Sequence, residues 1–133
     1  MIFITEKILF VCKHNCFRSR IAEAYAKQYS HNVSSGGIFA PGGKLLNIQE
    51  TVIKKLNLKL SEQKPISLTE LYNANVVVIV ANDVPISLFK DERYGKKRLI
   101  SWHIPDVFVG CSEEYVEDII FKIRKKIDKL MKA

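Results

Sequence analysis

Two stretches of this chain are apolar on every residue over strand length. Ile8 to Cys12 reads ILFVC after Lys7, and Val76 to Val80 reads VVVIV. A strand with one wet face alternates apolar and polar residues; an unbroken apolar run of this length marks a strand covered on both faces. Such strands sit inside parallel sheets with helices packed on either side. Between them the periodicity changes to that of helices. Ala22, Tyr25, Ala26 and Tyr29 stripe the segment Ser19 to Tyr29, and Leu45, Ile48, Val52 and Leu56 stripe a second helix after the Pro41-Gly42-Gly43 breaker. Asn32 to Ile38 reads as a short strand ending in a Gly36–Gly37 turn, and Leu68 to Leu71 as a short helix. Lys97 to Trp102, closed by Pro105, reads as a fourth strand. Val116, Ile119, Ile120, Ile123, Ile127 and Leu130 line one face of a long C-terminal helix, with Ser112 as its N-cap and Glu113 and Glu114 in its first turn. Strands alternating with helices predict an α/β fold: a four-stranded parallel sheet flanked by helices, in one domain over residues 1–133.

Composition narrows the classes. At 133 residues, with 47% hydrophobic and 26% charged positions, the chain is long enough to bury a core. Its longest apolar run, Val76 to Ala81, is too short to cross a bilayer, so no membrane partner is expected. The apolar N-terminus is interrupted by Glu6 and Lys7 and does not read as a signal peptide. A reducing cytoplasm is therefore the expected compartment. An odd count of three cysteines predicts free thiols, and neither a Cys-x-x-Cys pair nor a His-x-x-x-His spacing points to a metal or other cofactor. His14, His31 and His103 are scattered and read as structural or exposed. The net charge of +7 attracts anions of any kind. Much of the excess lies in the last helix, at Lys122, Arg124, Lys125, Lys126, Lys129 and Lys132, which reads as a solvated face. Few aromatics interleave with these cations, so nucleic acid ranks last among partners.

Chemistry concentrates after the first strand, where Cys12-Lys13-His14-Asn15-Cys16-Phe17-Arg18-Ser19 leads into a helix. In open parallel sheets, ligands bind beyond the carboxyl ends of the strands. A loop closing from a strand onto a helix N-terminus turns its backbone N–H groups inward and forms an anion nest, here from Lys13, His14, Asn15, Cys16, Phe17 and Arg18. The planar Arg18 fork suits two oxygens of a phosphate-like dianion. The field that holds an oxyanion also favours a thiolate, which makes Cys12 a candidate nucleophile. Ser19 is placed to donate to its sulfur, and Asn15 is a residue type that tolerates a left-handed turn. Without Arg18, Cys12 would read as the buried end of a strand; its position between an apolar strand and an amphipathic helix carries the catalytic reading.

The run FVCKHNCFRS followed by RIAEAY resembles the N-terminal signature of the low-molecular-weight protein tyrosine phosphatases and the related thiol-coupled arsenate reductases. Softer matches continue through Ser34-Ser35-Gly36-Gly37, Leu58 to Leu68, Val76 to Asp83 and Trp102-His103-Ile104-Pro105-Asp106. The resemblance implies Cys12 as nucleophile, Arg18 as phosphoryl ligand and Asp106 as general acid. It implies metal-free hydrolysis of a phosphorylated protein or small phosphomonoester, above all phosphotyrosine, through a cysteinyl-phosphate. There are three departures. His14 stands where the family usually has a small residue. Phe17 replaces the cysteine that often precedes the arginine, with Cys16 one position earlier. Asp106-Val107-Phe108 replaces Asp-Pro-Tyr, leaving Phe17, Phe39 or Phe108 to wall an aromatic substrate.

Arsenate is a phosphate mimic, so arsenate reduction with an external thiol is the alternative. The reductase cysteine pair is missing from Val80 to Leu88, and Cys111 lies elsewhere. Cys16 reads either as a redox partner of Cys12 or as a loop residue turned away from the anion. A noncatalytic oxyanion-binding module is the remaining alternative, from a different class.

Overall fold

The computed structural model describes residues 5–39 and 42–132. The apolar N-terminal residues 1–4, Pro41 of the breaker and the final residue 133 lie outside the described part. Four strands form one sheet: β1 (Ile8–Cys12), β2 (Val33–Gly37), β3 (Val76–Val80) and β4 (Arg98–Trp102). All pairs are parallel and the spatial order is β2-β1-β3-β4. The helices are α1 (Arg18–Ala26), α2 (Asn47–Lys55), α3 (Leu68–Asn73) and α4 (Glu113–Met131).

The two unbroken apolar runs are the two central strands, and every residue of each is buried. Alternate side chains serve opposite cores. Ile8, Phe10, Val76, Val78 and Val80 face Ile21, Ala22 and Tyr25 of α1, Val52 of α2, and Val116, Ile119, Ile120, Ile123 and Ile127 of α4. Leu9, Val11, Val77 and Ile79 face Leu71 of α3 and the loop residues Val84 and Phe89. Each fully buried aliphatic side chain contributes about 1.5–3 kcal/mol, which makes the α4 stripe a major part of the larger core. Ser112 caps α4 as its sequence predicts, accepting from the Tyr115 N–H at 3.0 Å.

Boundaries shift where tertiary contacts override local signals. Gly36 and Gly37 are the last residues of β2 and do not form a turn. They are glycines because neighbours crowd them. A Cβ on Gly37 would stand 2.6 Å from the His14 carbonyl carbon, and one on Gly36 2.9 Å from Ile66. The residue before α1 is Phe17, so Ser19 lies inside the first turn and does not cap it. Helix α2 begins at Asn47, which leaves Leu45 outside it but packed on the core, and Leu56 follows its last residue. The cations of α4 are exposed and partly engaged within its own surface. Lys122 pairs with Asp118 at 3.1 Å, Arg124 lies over the Tyr25 ring and Lys126 over Trp102.

With β2 on one side of β1 and β3 on the other, successive connections leave β1 in opposite directions. This is the switch point at which open parallel sheets leave a crevice. The loop after β1 and the segments after β3 and β4 converge there.

Candidate active site

Cys12 ends β1, 2% exposed, with its Sγ 3.0 Å from Ser19 Oγ. The loop beyond it turns back on itself at Asn15, whose φ of 52° is the left-handed conformation expected of that position. Asn15 is fully buried and bonded in three directions. Its Nδ2 donates to Ser19 Oγ at 2.7 Å and to Ser35 Oγ at 2.9 Å, and its Oδ1 accepts the Lys64 N–H at 2.9 Å. Gln63 clamps the loop from outside, donating to the carbonyls of His14, at 3.0 Å, and Gly42. Phe39 N–H donates to the Lys13 carbonyl at 2.9 Å. Among the described residues, none of the amides from Lys13 to Arg18 donates to a protein acceptor. This run of N–H groups leads into the start of α1, the position at which backbone donors can hold an anion.

Arg18 carries its guanidinium into the same crevice and is itself 2% exposed. Its Nη1 donates to the Ile104 carbonyl at 2.9 Å, and its Nη2 lies 3.0 Å from Asp83 Oδ1 and 3.6 Å from Asp106 Oδ2. Groups beyond β3 and β4 thus fix the plane of the fork, and a guanidinium has five donors, so others remain for an anion. Asp106 is half exposed; its Oδ1 accepts the Val107 N–H at 2.9 Å, and its carbonyl accepts from Tyr115 Oη at 3.4 Å.

Cys16 is partly buried, and that burial pushes its thiol up from the ordinary range. Arg20 opposes the rise, while Asp106 and Cys12 add to it. The Arg20 guanidinium is drawn down by burial and donates to the carbonyls of Ser61 and Cys16. The ring of His14 lies 6.1 Å from that of Phe39, and its Nδ1 is buried without a partner. Among the described residues no cluster of three or more His, Cys, Asp or Glu is arranged to hold a metal, and no helix is long and apolar enough to cross a membrane.

The structure brings Cys12, Arg18, Ser19 and Asp106 to one crevice, with Lys13 to Phe17 forming its loop. It removes Phe17 from the three aromatics offered as a substrate wall, because Phe17 is 2% exposed within the main core. Phe39 and Phe108 remain, 57% and 56% exposed, and Phe108 meets Tyr115 edge to face at 5.1 Å. Sequence reasoning missed Asp83, Gln63 and the buried set of Glu23, Ser35 and Ser61. The available hint for Asp83 was its place just past a buried strand, on the side where ligands bind.

The chain thus combines a four-stranded parallel sheet, a cysteine at the end of its first strand, a loop leading into the next helix and an arginine pinned by groups beyond β3 and β4. Residues 7–133 match the family described as low molecular weight phosphotyrosine protein phosphatase, and the chain belongs to that family. Solved structures with the same fold include an arsenate reductase from Archaeoglobus fulgidus, 25% identical, with a TM-score of 0.71 over 96% of this chain and 100% of that one. The YwlE arginine phosphatase from Geobacillus stearothermophilus is 23% identical, with a TM-score of 0.75 over 95% of this chain and 90% of its own. A protein tyrosine phosphatase from Entamoeba histolytica is 22% identical, with a TM-score of 0.76 over 95% and 94%. No curated protein sequence matches the chain.

Proposed function

We propose that this protein hydrolyses phosphomonoesters, foremost phosphotyrosine in proteins, through a cysteinyl-phosphate intermediate, with residues 1–133 working as one catalytic unit. The observation that carries the reading is the convergence of Cys12, Arg18 and Asp106 on one nest of unpaired amides, although the acid comes from a distant part of the chain. The Lys13 to Arg18 amides and the Arg18 fork hold the three non-bridging oxygens and take up the charge that grows on them in the transition state. The Cys12 thiolate attacks phosphorus, an Sγ–P bond forms and the P–O bond to the leaving group breaks. Asp106 delivers its proton to the departing oxygen. It then accepts a proton from water as that water attacks phosphorus; the S–P bond breaks, and thiolate and inorganic phosphate are released. The Ser19 hydroxyl supports the sulfur as it leaves.

Support for an aromatic leaving group comes from Phe108, Tyr115 and Phe39, which flank the acid and the loop. A reducing cytoplasm is the compartment that such chemistry calls for, since the Cys12 thiol must stay free. A second reading is arsenate reduction with an external thiol, favoured by the 25% identity to an arsenate reductase. It needs a resolving thiol, and the Val80 to Leu88 segment supplies none. The deciding assay is turnover of p-nitrophenyl phosphate and of phosphotyrosine and phosphoarginine peptides with and without chelator, beside Cys12→Ser. Chelator-resistant turnover of phosphotyrosine lost in the variant is the expected result. Preference for phosphoarginine would change the substrate class. No turnover of any ester, with arsenate reduced only when thiol is added, would replace the reading by the second; neither activity would leave an oxyanion binder.

A further inference from the structure

Glu114, Glu117, Asp118 and Phe121 follow one another at helical spacing along α4, all exposed, and so share one face of that helix. The face borders a groove of about 490 Å³. Leu56, just past α2, lines the groove as well, and the buried Tyr25 and Ile120 form its floor. Leu56 and Phe121 are 45% and 56% exposed, so an apolar surface stays open to water there. Charge in this groove runs against the rest of the molecule. Three carboxylates and one cation, Arg124, line it in a chain whose net charge is +7. Lys122 takes Asp118 at 3.1 Å, while Glu114 and Glu117 close no ion pair among the described residues. The aromatic rings at this site already hold cations: Arg124 lies 5.5 Å from the centroid of Tyr25, and Lys125 Nζ 5.4 Å from that of Phe121. The groove also adjoins the candidate active site. Tyr115, next to Glu114 in the first turn of α4, reaches the Asp106 carbonyl and meets the Phe108 ring. From there Glu114 to Phe121 span about two helical turns, roughly 10 Å.

We propose that this groove docks an arginine- or lysine-bearing segment of the same phosphorylated protein whose phosphoryl group enters the crevice. The proposal rests on the hydrolase reading and narrows its substrates to phosphosites with a basic flank. The aliphatic stem of an arginine suits the apolar surface of Leu56 and Phe121. Its head suits the Glu114 and Glu117 carboxylates and the exposed ring face between the stem and the rim. A second copy of the chain fits worse, because two molecules of charge +7 repel each other.

The test compares kcat/KM for two phosphotyrosine peptides of equal length. One carries Arg-Leu-Arg on both flanks, about three to seven residues from the phosphotyrosine, the reach of an extended chain along the groove; the other carries Glu-Leu-Glu. Net charge alone favours the acidic peptide. The groove reverses that order, to about tenfold in favour of the basic one, the worth of two surface ion pairs and a cation–π contact. Glu114→Gln combined with Glu117→Gln is expected to abolish the preference, and Phe121→Ala to reduce it about threefold. Both variants should turn over p-nitrophenyl phosphate as the parent does. A parent that prefers the acidic peptide, or a basic preference that survives the double variant, would overturn the proposal. Fluorescence polarisation of the labelled basic peptide without its phosphate reads the groove independently of turnover. If no ester is hydrolysed, the hydrolase reading falls on that result, and the binding decides the groove: several-fold weaker affinity in the double variant upholds docking, and equal affinity overturns it. Dimerisation seen by sedimentation and lost in Phe121→Ala would give the groove to a second copy and overturn the proposal as well.

Discussion

Arg18 Nη2 and Asp106 Oδ2 stand 3.6 Å apart, joining the helix that follows the nest to the loop that follows β4. An oxyanion seated on Arg18 competes for the same donors and frees the carboxyl for the leaving group. Replacing Asp106 by Ala should therefore leave phosphate binding nearly intact. Turnover of poor leaving groups should fall about a hundredfold or more, and p-nitrophenyl phosphate should suffer less, because its leaving group departs without much help. Steady-state kinetics over a series of aryl phosphates checks this. Equal losses across the series would refute the acid assignment.

Cys12→Ser is expected to abolish turnover while inorganic phosphate still binds, since the nest is made of backbone. Titration followed by calorimetry separates the two. Loss of both together would mean that the thiol shapes the loop.

Asp83 is closer to Arg18 than Asp106 is, at 3.0 Å. An Asp83→Asn change should loosen the guanidinium, with the Ile104 carbonyl left as its nearest fixed partner. We expect kcat/KM to drop about tenfold, as small misplacements of a positioning group do. An unchanged value would show that Ile104 holds Arg18 by itself.

Gly37→Ala forces a methyl against the backbone of His14 and Asn15, at 2.6 and 2.7 Å. Backbone cannot swing away as a side chain can. A loss of about 1–3 kcal/mol in urea unfolding is expected, together with weakened phosphate binding. Retention of both would mean that the loop can retreat without cost.

Burial holds the Cys16 thiol above its ordinary value. The reactive thiolate therefore becomes abundant only above the free-cysteine midpoint of about pH 8.5. Alkylation at Cys16, read by peptide mass against pH, should rise late. A rise near neutrality would show that Arg20 dominates its surroundings.

The parts of the fold that were legible are those fixed by burial on both sides. ILFVC and VVVIV could hardly be anything but central strands, and the α4 stripe and its Ser112 cap follow the same local logic. The loop was legible because its residue types sit between two such elements. What stayed hidden depends on sheet order. Gly36 and Gly37 look like a turn until Ile66 and His14 are seen against them, and Asp83 acquires meaning only when β3 lies beside β1. Phe17 looked like a substrate wall, yet the helix start turns it into the core. Ser19 was legible as a neighbour of the sulfur, and its Oγ lies 3.0 Å from Cys12 Sγ.

The bracket behind the nest has a consequence for how the chain comes into being. Gln63 and Lys64 reach His14 and Asn15 across 49 residues, and β3 reaches β1 across a comparable span. Contacts of such separation form late, after long loops have closed. A ribosome releasing the chain from its N-terminus exposes Cys12 well before Gln63 exists. The nascent segment thus carries Cys12 on an unbraced loop, and the bracket around that loop is assembled only when the middle of the protein has emerged and docked.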